Sequence, residues 1–153
     1  MIAMELQKGF YLIKIFHYII SGAFLLIAII LILRSILGIV RKKVYTLTDK
    51  VLSSAFIVNL YLQLIFGLIL FSNLGSSLGY DYVSADGGVK MVSKRLWPIE
   101  HIVLMIFALL IANLGFIFSN KSQESIAKHK NVLIYYCIAI LMIAYSLSSI
   151  YLF

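Results

Sequence analysis

The sequence is poor in cysteine, in proline and in charge. It has one cysteine, Cys137, and one proline, Pro98. A single thiol cannot close an internal disulfide, and thiolate metal clusters need several. Charged residues are 12% of the chain, and only 6 are acidic. A typical soluble domain is about 25% charged and about 45–50% apolar. Here the apolar share is 63% and the mean hydropathy is +1.04. Water cannot solvate a surface made from that mixture, so the expected solvent is lipid. Neither an internal repeat nor a low-complexity stretch breaks the chain, and 153 residues are read as one domain, 1–153.

A membrane-crossing helix needs about 20 mostly apolar residues. The chain offers four such runs, at 15–33, 51–71, 99–118 and 132–153. They are continuous rather than alternating and about twice the length of a barrel strand, which argues against β structure. The first run is too long for a cleaved leader, and no small-x-small cleavage site follows it. The expectation is therefore all-α: an up-and-down four-helix membrane bundle.

Basic residues in short loops set the orientation. One side carries Arg41, Lys42, Lys43 and Lys50, with Lys121, Lys128 and Lys130. The other carries Lys8, Lys14, Lys90, Lys94 and Arg95, with Asp81 and Asp86. The first set is the more basic and is expected in the cytoplasm, so both termini face the periplasmic side of a bacterial inner membrane. The net charge of +7 then reflects topology and anionic headgroups rather than nucleic acid. The outer loop, 72–98, holds two short β-prone runs, 80–84 and 89–93, around Asp86-Gly87-Gly88. That pattern reads as either a hairpin or a flexible polar connector. Trp97-Pro98 suits the headgroup zone and a first helical turn, and so marks the start of the third helix.

Polar groups inside lipid are costly and call for a partner or a purpose. Asn59 and Gln63 in the second run are expected to hydrogen-bond between helices. Small residues at helical spacing, such as Ala108, Ala112 and Gly115, or Cys137, Ala144 and Ser148, suit close packing. His17 and His101 are the sharper signal. Their helices run in the same direction, and each histidine lies near its helix's outer end. Diagonal helices of a bundle would present these imidazoles to each other across the core, as axial ligation of a haem requires. Lys14 and Arg95 lie near enough for propionates, as does Lys94. Hydrogen bonding to Gln63, Tyr61 or backbone carbonyls would serve the histidines equally well. Glu100 could orient an imidazole or face the headgroups. His129, between Lys128 and Lys130 at the opposite side, reads as solvated or interfacial.

The stretches 17–22, 34–38 and 41–50 resemble a group of small four-span bacterial membrane proteins labelled cytochrome-b-like. So do Gln63–Leu70, Pro98-Ile99-Glu100-His101 and Ala127-Lys128-His129-Lys130. The resemblance covers nearly the whole chain on short motifs. It implies a haem b held by His17 and His101, with electrons exchanged with quinol or a periplasmic redox protein. Many members also carry a histidine two residues before the second-span glutamine, where this chain has Tyr61.

Three functions are thus open. The chain could be a bis-histidine haem electron carrier, or a cofactor-free accessory subunit of a larger membrane complex. A transporter is the weakest, because no span is broken by proline or a glycine pair. No nucleophile–base pair or phosphate loop points to an enzyme of another kind.

Overall fold

The computed structural model describes the backbone of residues 2–77 and 89–152, and the side chains of 9–72 and 99–148. Among the described residues the elements are four helices: α1 (Ile2–Val40), α2 (Leu47–Ser77), α3 (Val89–Lys121) and α4 (Ser125–Leu152). All four are long and apolar enough to cross a membrane, over Gly9–Val40, Leu47–Ser72, Ile99–Lys121 and Ser125–Ser148. Their packing forms a cycle in which α1 touches α2 and α4, and α3 touches the same two. Helices α1 and α3 are therefore diagonal. The α1–α2 and α3–α4 turns share one end of the bundle, called here the turn end. The starts of α1 and α3 share the other.

Each turn has a chemical cause. At the close of α1, Lys42 takes the left-handed conformation with φ 49°. This lets the Lys43 N–H donate to the Gly38 carbonyl at 2.9 Å, satisfying an otherwise orphaned helix-end acceptor. Helix α2 then opens with Thr46 and Asp49. One Asp49 oxygen accepts from the Thr46 N–H at 2.8 Å and from its hydroxyl at 2.7 Å. This is the carboxylate half of a capping box, with aspartate in the position glutamate often fills. Between α3 and α4, the Asn131 amide donates to the Ser122 hydroxyl at 2.9 Å.

The core is built where aromatic and very small residues meet. Phe56 stacks on Tyr136 with centroids 4.6 Å apart, and Phe24 lies 4.9 Å from Phe56. Ala108, Ala112 and Ala139 are fully buried and let the helices approach. Gly115 is the tightest point between α3 and α4. A Cβ there would fall 2.5 Å from the Tyr135 Cβ, which a side-chain rotation cannot relieve. The outward faces carry exposed Leu25, Leu26, Ile29, Ile30 and Leu33 on α1, and comparable residues elsewhere. That pattern fits lipid contact.

Three expectations change. Helix α3 begins at Val89 rather than at Trp97-Pro98, so 89–93 is helix and not the second arm of a hairpin. The first arm, 80–84, and the turn lie outside the described residues. On α4 the packed face is Val132, Tyr136, Ala139, Ile143 and Ser146, while Ala144 and Ser148 point outward. Tyr136 wins the interior because it offers a large ring to Phe56 and a hydroxyl that finds a partner. Finally, His129 is buried, at 2% exposure, although its neighbour Lys130 is exposed. Its ring sits on Gly38, where α1 offers no side chain.

A candidate site at the histidine end

Each of the four helices contributes to the end opposite the turns. His17 comes from α1, and its Nδ1 is buried without a hydrogen-bond partner. Its Cε1 would lie 3.9 Å from a Cβ at Gly67 on α2, an ordinary van der Waals contact, so the ring lies beside that glycine. His101 comes from α3, and its Nδ1 is 2.8 Å from the Ser146 hydroxyl of α4. The fold thus brings His17 and His101 into the half of the bundle away from the turns, 15 residues past Ile2 and 12 past Val89, on diagonal helices.

The backbone around His17 is held from α2. Gln63 donates to the Ser21 hydroxyl at 2.8 Å, and Ser21 donates in turn to the His17 carbonyl at 2.8 Å. Asn59 donates to the Ile20 carbonyl at 3.2 Å. Both amides make the interhelical hydrogen bonds expected of them, and both are buried. In lipid, such bonds fix the register of α1 against α2.

The other described candidates, Lys14 and Glu100, are exposed. The Lys14 Nζ lies 5.8 Å from the Tyr18 ring centre, a cation–π arrangement on the outer surface. Arg95 belongs to α3, and its side chain lies outside the described residues. Tyr61 is 47% exposed and takes a long hydrogen bond from Asn113 at 3.4 Å. A histidine at that position would start from the outer face, not from the space between His17 and His101.

Among the described residues, no three His, Cys, Asp or Glu side chains gather as a metal-ligand set. Two imidazoles alone cannot complete a tetrahedral protein site. They do match a metal that brings its own equatorial ligands, as haem iron does. The unsatisfied Nδ1 of His17 is compatible with such a group.

Sequence reasoning missed the polar cluster at the turn end. Arg34 and Asp49 form an ion pair at 2.7 Å, with side chains 40% and 5% exposed. The carboxylate therefore has the guanidinium and both Thr46 donors around it, which offsets its burial. Deeper in, the Ser53 and Tyr136 hydroxyls are 2.6 Å apart, and Tyr136 also donates to the Ser53 carbonyl at 3.1 Å. Tyr45, in the α1–α2 turn, packs its ring edge-on against His129 at 4.9 Å. Burial pushes the Tyr45 phenol above the ordinary tyrosine range, and the nearby Ser119 and Ser53 hydroxyls partly offset this. The Thr46–Asp49 spacing was readable as a cap, but nothing in the order of residues pairs Tyr136 with Ser53 or His129 with Gly38.

No protein-family model matches the chain, and no curated protein or solved structure is significantly similar to it. Fold and site together define the class: an α-helical bundle with four helices suited to spanning a membrane, and a polar site drawn from all four at one end.

Proposed function

We propose that the chain is a cytochrome-b-like electron carrier in which His17 and His101 are the axial ligands of one haem b. One observation carries this reading: two imidazoles from diagonal helices lie in the same half of the bundle, and a buried ring nitrogen of His17 has no hydrogen-bond partner. Bound there, a haem would supply one-electron chemistry. The protein's own residues do the rest. Ser146 fixes the His101 ring through Nδ1, the kind of outer-shell contact that orients a ligating imidazole. Gln63, Ser21 and Asn59 hold the α1 backbone on either side of His17. The basic turn end supports a cytoplasmic placement of that end, which puts the histidines toward the periplasmic face of a bacterial inner membrane. Quinol or a periplasmic redox protein would then be the partner.

The test is an absorption spectrum of the purified protein, oxidised and dithionite-reduced. Sharp reduced α and Soret bands that disappear in both His17→Ala and His101→Ala support the carrier. A colourless protein from haem-replete cells overturns it.

A second reading, an accessory subunit without a cofactor, is favoured by the outward face of α4. Ala144 and Ser148 are exposed there, and Cys137 on the same stripe is half-buried. Small residues facing lipid suit close approach by another helix. Stoichiometric co-purification in mild detergent, weakened by Ala144→Leu, would support this reading.

A further inference from the structure

The turn end holds three buried polar atoms that protein groups leave unsatisfied. They are both ring nitrogens of His129 and the Ser119 hydroxyl. His129 is 2% exposed and Ser119 1% exposed. The two come from different helices, α4 and α3, and the ring of Tyr45 connects them. That ring packs on His129, and its hydroxyl sits beside Ser119 and Ser53.

The chemistry of a neutral imidazole sharpens the problem. One ring nitrogen is a donor and the other an acceptor. The Lys43 and Val44 carbonyls lie close to this imidazole. Carbonyls can serve only the N–H. The acceptor nitrogen needs an O–H or N–H donor, and the hydroxyls of Ser119 and Tyr45 lie on the same side of the bundle. An unsatisfied buried polar group costs about 1–3 kcal/mol, so three in one neighbourhood are not left bare without reason. A buried water typically makes about three hydrogen bonds to such groups.

We infer that His129, Ser119 and Tyr45 form a binding site for internal water at the turn end of the bundle. Water here links two features that the protein alone leaves apart. On one side is His129, next to the basic surface of Lys128 and Lys130. On the other is the hydroxyl pair Ser53–Tyr136, which reaches the Phe56 layer of the core. The site therefore makes a chain of exchangeable protons from the turn end into the bundle. Gly38 belongs to it as the notch that seats the imidazole. The inference does not depend on haem, since His17 and His101 lie at the opposite end.

Water-edited solid-state NMR on the full-length labelled chain in fluid bilayers tests this. The His129 ring signals are identified by their loss in His129→Gln. Water magnetisation should reach the His129 ring several-fold faster than the buried Phe56 ring. In a chain carrying Ser119→Ala and Tyr45→Phe, that fast transfer should be lost and His129 should match Phe56. A His129 ring as slow as Phe56 in the unaltered chain overturns the site, and this arm needs no variant to fold. Fast transfer that persists in the double substitution also overturns it, because the water would then come from the surface alone.

Discussion

Gly38→Ala is the most direct probe of the turn end. The new methyl carbon would fall 2.5 Å from Cδ2 and Cε1 of His129. Ordinary carbon–carbon contact is about 3.5–4.0 Å, so the two groups must separate by about 1 Å or more. Tyr45 packs against the same imidazole with centroids 4.9 Å apart and limits its movement. Relief must come from parting α1 and α4, and overpacking of this kind costs about 1–3 kcal/mol. Alanine's better helix propensity returns up to about 1 kcal/mol. The expected net loss is about 1–2 kcal/mol. Gly22→Ala is the control, because a Cβ there meets nothing within 4 Å. It should be neutral or stabilising by up to about 1 kcal/mol. The assay is reversible unfolding of the full chain from mild detergent into SDS. In a His129→Ala background the cost of Gly38→Ala should vanish, giving a coupling of about 1–3 kcal/mol. If Gly38→Ala proves as harmless as Gly22→Ala, or costs the same with and without His129, the packing argument fails.

Three further outcomes are expected. Tyr136→Phe leaves the buried Ser53 hydroxyl without its 2.6 Å partner and should destabilise by about 1–3 kcal/mol, with Ser53→Ala restoring part of the loss in the same unfolding assay. Asp49→Ala removes the α2 cap and the Arg34 partner together and should cost about 1–2 kcal/mol. Asp49→Asn, which keeps an acceptor for Thr46, should cost less; equal costs would show that the cap contributes nothing. Burial raises the Tyr45 phenol, so the folded chain holds that proton more tightly than the unfolded one. The stability this provides is complete below the ordinary tyrosine value of about 10 and is lost as pH rises beyond it. Unfolding measured across that range should therefore fall less steeply for Tyr45→Phe than for the unaltered chain, and parallel curves would contradict the burial.

Helical spans were legible because lipid imposes one dominant requirement. Every backbone polar group in a membrane must be paired, and long apolar runs meet that requirement locally as helices. The runs at 51–71 and 99–118 accordingly fall inside α2 and α3. The roles of Asn59 and Gln63 were legible for the same reason, since an amide in lipid must find a partner on another helix. The start of α3 was misread because Pro98 and Trp97 are good helix openers, yet neither forbids a turn of helix before them.

By itself, then, the sequence determined that there are four helices of spanning length, and that His17 and His101 belong to the same end. Both follow from hydropathy and from the 1.5 Å rise of a helix, which are local properties. Which face of each helix turns inward was decided only by tertiary packing. Tyr136 took the interior of α4 over the smaller residues near it, because Phe56 and Ser53 were there to meet its ring and its hydroxyl. His129 was buried beside the exposed Lys130 because Gly38, some ninety residues earlier in the chain, left a notch of its size. Such matches join side chains on different helices, and the order of residues along one helix carries no record of them.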